Sequence, residues 1–178
     1  TKNSKLFFGN GTSPNIYLSA KKGISHRGIP FLEFSSDGSF MGIDISLPSG
    51  KSLIFSFFEG SHQDNKMFVS SLDESTGILM EISDRFGSSK VSYQLGMSLD
   101  DSNLLGLSSQ GGFGSPKNTL TSFFGIEALT RTKGFMWRSS LHVGLTESDF
   151  NQLGLIEDIE DTYFSSFDLG VYKENIFK

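Results

Sequence analysis

The chain has 178 residues and a formal net charge of −5, long enough for one domain with a sizeable core. Aromatic residues reach 13% while charged residues stop at 20%, and the missing charge is replaced by small neutral polar residues rather than by a larger aliphatic share. Acidity without any basic cluster longer than Lys21-Lys22 argues against nucleic-acid binding. The absence of Cys excludes disulfides and thiolate metal sites. No run approaches the ~18 apolar residues of a membrane helix, which leaves strand-based membrane spans open.

In chain order, residues 1–22 read as a linker or first-strand region, turn-rich at Gly9-Asn10-Gly11 and Ser13-Pro14, with a possible strand at 15–20. Residues 30–36 read as a strand, and Ser36-Asp37-Gly38-Ser39 as a hairpin turn. Residues 40–47 alternate, with Met41, Ile43, Ile45 and Leu47 on one face and Gly42, Asp44 and Ser46 on the other. Pro48-Ser49-Gly50 turns the chain, and 52–58 returns with Leu53, Phe55 and Phe57 on its apolar face. Two tight turns joining three alternating strands predict a β-meander.

Residues 59–75 read as a polar loop, and 77–83 as a short strand or helical turn. Alternation resumes at 90–98, with Val91, Tyr93, Leu95 and Met97 opposite Ser92, Gln94, Gly96 and Ser98. After a Gly/Ser-rich stretch at 104–113, the segment 119–129 sets Phe124, Ile126 and Ala128 against Phe123, Gly125 and Glu127. A turn at 131–134 precedes 135–145, whose apolar face is Phe135, Trp137, Leu141, Val143 and Leu145, with Arg138, Ser140, His142 and Gly144 behind. An acidic loop at 157–161 leads to a last strand carrying Tyr163, Phe167, Leu169 and Val171 opposite Ser166, Asp168 and Gly170.

Predicted strands of about nine to eleven residues exceed the usual ~5–6 of soluble sheets. Combined with abundant Phe and small polar partners, they favour an antiparallel barrel with an apolar outside and a wet, polar lumen. Met41, Ile43, Ile45, Phe55, Phe57, Val91, Tyr93, Trp137, Leu141 and Phe167 are the candidate lipid-facing residues. Asp44, Glu127, Arg138, His142 and Asp168 are the candidate lumen-facing ones, Arg138 and His142 sharing a strand face at i, i+4 and positioned to meet the acids. Trp137, Tyr163 and Tyr172, near strand ends, suit an interfacial aromatic girdle or plain packing equally. Two alternatives remain. A soluble β-sandwich acting in adhesion or glycan binding would bury Met41, Ile43 and Ile45 against Val91, Tyr93 and Leu95. A soluble lipocalin-like barrel would turn Phe55, Phe57 and Phe124 inward around an apolar ligand.

No catalytic centre is legible. His26, His62 and His142 stand in no metal-binding spacing, and there is no G-x-S-x-G elbow. Gly111-Gly112-Phe113-Gly114 lacks the Lys-Ser/Thr of a phosphate loop and reads as a turn or bulge. Glu157, Asp158, Glu160 and Asp161 lack a calcium-loop pattern and read as a solvated loop. The expectation is therefore no enzyme, no metal and no cofactor.

The ordered words Leu99-Asp100-Asp101-Ser102-Asn103-Leu104-Leu105-Gly106, Ser109-Gln110-Gly111-Gly112-Phe113-Gly114 and Thr121-Ser122-Phe123-Phe124-Gly125 resemble the C-terminal translocator of bacterial autotransporters. The resemblance is nearest to the branch with a subtilisin-like serine-protease passenger. Trp137, Gly144-Leu145-Thr146, the run from Ser165 to Val171 and Asn175-Ile176-Phe177 continue it, so that it covers about 24–177. It implies that 23–178 is part of an outer-membrane β-barrel, about two-thirds of one with ~12 strands, lacking the family's last strands and terminal aromatic residue. It also implies the partners: outer-membrane lipid, the protein's own passenger domain and the barrel assembly machinery. Any peptidase activity would lie in the passenger, outside this chain.

Overall fold

The computed structural model describes residues 4–10, 37–61, 74–101, 116–150 and 160–173. They form eight strands: β1 (Ser4–Asn10), β2 (Asp37–Ser46), β3 (Ser52–Ser61), β4 (Glu74–Phe86), β5 (Ser89–Asp101), β6 (Pro116–Thr132), β7 (Phe135–Phe150) and β8 (Thr162–Lys173). Each pairs antiparallel with its neighbour in sequence, giving one all-β meander sheet in the order β1 to β8. The sheet is not closed: among the described residues, β1 and β8 are its edges. No second sheet lies against it there, and no described helix is long and apolar enough to cross a membrane.

The two ends of the sheet differ. At one end the strands are joined by tight turns: Pro48–Gly50 between β2 and β3, Gly87-Ser88 between β4 and β5, and Lys133-Gly134 between β6 and β7. Lys133 and Gly134 both have positive φ, at 46° and 82°, and Gly87 has φ 61°. These are the backbone signs of primed turns, whose twist matches that of the flanking strands. At the other end the connections are the longer stretches 11–36, 62–73, 102–115 and 151–161.

Several elements differ from the sequence reading. Asp37, Gly38 and Ser39 do not turn; they open β2 and pair with Ser61, Gly60 and Glu59. The loop expected at 59–75 gives up both its ends to β3 and β4, and 77–83 is the middle of a 13-residue strand. Gly9 and Asn10 end β1 rather than make a turn. In each case ladder pairing with a neighbour overrides local turn chemistry. Strands run from 7 to 17 residues, wider than the expected range. The segments 15–20 and 30–36, with His26, His62, Gly111 to Gly114, Glu157 and Asp158, lie outside the described residues.

Alternation sorts the side chains. Leu141 is 48% exposed and its neighbour His142 1%; Trp137 is 48% exposed and Arg138 2%. Met41, Phe55, Phe57, Tyr93, Leu95, Phe124 and Phe167 are exposed on the same face as Leu141, and Ile43, Ile45 and Val91 are half-buried there. Thus Met41 and its neighbours are not packed against Val91, Tyr93 and Leu95 across a sandwich. Nor do Phe55, Phe57 and Phe124 point inward. The opposite face is buried, and its apolar part is a cluster of Phe40, Phe58, Leu79 and Phe123 joined by Phe7 and Phe164.

Glycines give this buried face its room. Across the ladders Gly9 faces Phe40, Gly42 faces Phe7, Gly77 faces Phe58, Gly96 faces Phe123, Gly125 faces His142 and Gly144 faces Phe164. Each ring lies where a Cβ on its glycine would project, covering the backbone that the glycine leaves bare. A Gly96→Val variant should therefore lose about 1–3 kcal/mol of stability by overpacking, read as a lowered urea midpoint in Trp137 fluorescence. Trimming the ring in Gly96→Val/Phe123→Ala should make the pair less costly than the sum of the single variants; strict additivity would contradict the ring-over-glycine contact.

Candidate functional site

The buried polar face is organised in rows perpendicular to the strands. Following the register, Lys5, Asp44, Ile54, Glu81, Gln94, Gly125, His142 and Ser166 fall in one row across all eight strands. The row next to it, toward the tight turns, is Ser46, Ser52, Ser83, Ser92, Glu127, Ser140 and Asp168. Lys90, Leu129, Arg138 and Gly170 follow. On the far side of the first row lie Phe7, Gly42, Ser56, Leu79, Gly96, Phe123, Gly144 and Phe164, each large side chain flanked by small ones.

Two charged clusters occupy these rows. In one, Arg138 donates from Nε to Glu127 Oε2 at 3.0 Å, and its Nη1 is 3.7 Å from Asp168 Oδ1. Serine neighbours leave the guanidinium space to reach both acids. In the other, His142 Nε2 and Gln94 Oε1 are 3.0 Å apart, and Gln94 Nε2 donates to Glu81 Oε2 at 3.1 Å. Because the Gln94 amide nitrogen is committed to Glu81, its oxygen accepts, and His142 carries its proton on Nε2. Lys90 Nζ approaches Glu81 Oε1 at 3.6 Å. His142 and Gln94 sit on β7 and β5 with β6 between them, and they meet because Gly125 places no side chain in the way.

These groups are held away from water. Glu81, Gln94, Glu127, Arg138 and His142 are all buried, at 1–3% exposure. Asp44 and Asp168, on the flanking strands of the same face, are half-buried. The next layers extend the hydrogen bonding with small hydroxyls: Ser52 to Ser83 at 2.7 Å, Thr121 to Thr146 at 3.2 Å, and Ser75 to Asp100. The His142 ring lies 6.0 Å from that of Phe123, joining the polar row to the aromatic one. No group of three or more His, Cys, Asp or Glu suited to a metal occurs among the described residues.

All five residues singled out as facing a lumen lie on this buried face. Glu127, Arg138 and Asp168 come together, His142 joins the other cluster, and Asp44 shares the His142 row from β2. Glu81, Gln94 and Lys90 were not singled out; Gln94 and Glu81 belong to the network through cross-strand register, which no spacing within one strand reveals. Of the acidic stretch, Glu160 and Asp161 are exposed and outside any strand. Trp137 and Tyr163 lie near opposite ends of the sheet on its apolar face, while Tyr172 has the parity of the polar face.

Removing one partner of a buried ion pair leaves the other uncompensated. Arg138→Met should cost about 3–5 kcal/mol, and Arg138→Met/Glu127→Leu clearly less than the two single variants summed. Urea unfolding of the four proteins measures the coupling, and additive losses would contradict it. In comparison with known proteins, the chain matches no family model, no curated protein and no solved structure.

Proposed function

We propose that this chain is part of a β-barrel embedded in the bacterial outer membrane, the translocator portion of an autotransporter, which anchors an N-terminal passenger and exports it to the cell surface. The observation that supports this reading is inverted polarity: aliphatic and aromatic side chains cover the exposed face, while ion pairs and amides fill the buried one. A water-soluble sheet arranges these the other way round. The apolar band also has a suitable height. From Phe135 to Leu145, β7 spans about 34 Å of strand at ~3.4 Å per residue, or roughly 26 Å at a tilt of ~40°, against an apolar belt of ~25 Å in such barrels.

The asymmetry of the connections supports the same reading, since outer-membrane barrels have short periplasmic turns and longer extracellular loops. Ser4 and Lys173 lie at the tight-turn end, opposite Ile45 and Phe135, which would put both on the periplasmic side. The edges of β1 and β8 are then where the remaining strands of a barrel of ~12 would pair, since an unpaired edge in lipid leaves backbone groups unsatisfied. The export role and the passenger, a subtilisin-like protease, rest on the sequence resemblance. The chain itself would act as an anchor rather than an enzyme, inserted by the barrel assembly machinery.

The test is refolding of the full chain into lipid vesicles, followed by flotation. Wild-type protein should float with the vesicles and acquire β-sheet circular dichroism. Leu141→Arg, placing charge mid-way along the apolar band, should lose about 2–4 kcal/mol of folding stability in the bilayer. A monodisperse, detergent-free protein with a cooperative melt in buffer would refute the proposal.

A further inference from the structure

We infer that the tight-turn rim of the sheet docks anionic phospholipid, its lysines and arginines meeting the headgroup phosphates at the border of the apolar face. The inference rests on the membrane reading and deepens it by naming the lipid. Among the described residues, charge is sorted between the two ends of the sheet. At the tight-turn end, the turns and the last two residues of each strand carry Lys5, Lys51, Arg85, Lys90, Arg131, Lys133 and Lys173, and no Asp or Glu. At the other end, the last two residues of each strand carry Asp37, Glu74, Asp100, Asp101 and Asp149, with Lys117 as the one cation. Lys51 and Lys90 lean back on acids further into the sheet, Asp84 at 3.3 Å and Glu81 at 3.6 Å. Arg85, Arg131, Lys133 and Lys173 are exposed at the rim itself.

The placement of these cations fits lipid better than a small anion or an acidic protein. They border exposed aromatic side chains: Phe86 follows Arg85, Phe135 pairs with Lys173, and Trp137 lies one step further along the same face. A Lys or Arg so placed lays its stem along apolar surface and its charge at headgroup level, where Trp also settles. The cations run from β1 to β8, roughly 34 Å at ~4.8 Å per strand, a row that no single small anion spans. An acidic protein docked on the rim would leave Phe86, Phe135 and Trp137 facing water. Each cation close to an anionic lipid surface contributes roughly fivefold in affinity, an effect that fades beyond a Debye length. The acidic end repels the same phosphates, so the two ends of one apolar face select different lipid.

Trp137 is the only Trp of the chain and stands beside this rim, so its fluorescence reports on the lipid there. The full chain is refolded into phosphatidylcholine vesicles containing a minor fraction of lipid with brominated acyl chains, which quench Trp on contact. Brominated phosphatidylglycerol should be enriched at Trp137 at least about threefold over brominated phosphatidylcholine at low salt. The excess should fade as salt is raised. Arg131→Gln/Lys133→Gln/Lys173→Gln should abolish it and leave quenching by phosphatidylcholine unchanged. Trp137→Phe/Tyr163→Trp moves the reporter to the acidic end of the same face, where the excess should be absent. If the triple variant does not fold, the salt dependence of wild-type protein and the moved reporter decide the question. Equal quenching by both lipids at Trp137, an excess that persists at high salt, or the same excess at position 163 would overturn the lipid docking and leave the membrane reading standing. No quenching of wild-type protein by either lipid would overturn both.

Discussion

On the central strands β3 to β7, every second side chain points to a face that is largely buried, and charge placed there must find a partner on that face. That constraint governs the rest. Burying an ion costs several kcal/mol even after relaxation, so Arg138 is retained only because Glu127 and Asp168 lie within its reach. The pairing in turn depends on register, since a slip of one residue would carry Arg138 and His142 to the outer face. Register is held by the tight turns at Gly87-Ser88 and Lys133-Gly134, which leave little freedom in how β4 meets β5 or β6 meets β7. Serine and glycine complete the arrangement by giving long side chains space to cross between strands.

The outer face carries the opposite demand. A Leu or Phe side chain gains about 1.5–3 kcal/mol on leaving water, and this face exposes a continuous series of them on β2 to β8. Such a surface far exceeds the patches soluble monomers tolerate. The two faces are thus a single requirement: an interior able to satisfy its own charges, inside a sheet whose surroundings are apolar. On the proposed reading, a hydrocarbon bilayer provides those surroundings.

The division of each strand into two faces was largely legible in the sequence, because alternation at Val91 to Ser98 and Phe135 to Leu145 is nearly unbroken and marks a two-faced strand without saying which face is outward. Legibility failed where the buried face is itself apolar. Ile78-Leu79-Met80 reads as an undivided run because Leu79 faces inward beneath Phe123, and Ile54 and Phe58 blur β3 in the same way. β1 was hidden by Gly9-Asn10, whose turn chemistry yields to pairing with Phe40 and Ser39. The Glu81, Gln94 and His142 connection could not be read at all, since it joins residues 13 and 48 positions apart and depends on register across three ladders. Local sequence records which face a residue takes; its partners are decided between strands.

The central claim is that the apolar face meets lipid. The chain has no Cys, so single substitutions such as Phe55→Cys, Leu95→Cys and Leu141→Cys allow spin labels to be attached one at a time. In vesicle-reconstituted protein, collision rates at these sites should be high with oxygen, which dissolves in hydrocarbon, and low with a water-soluble nickel chelate. Labels reached freely by the chelate, or buried from both probes, would contradict the account.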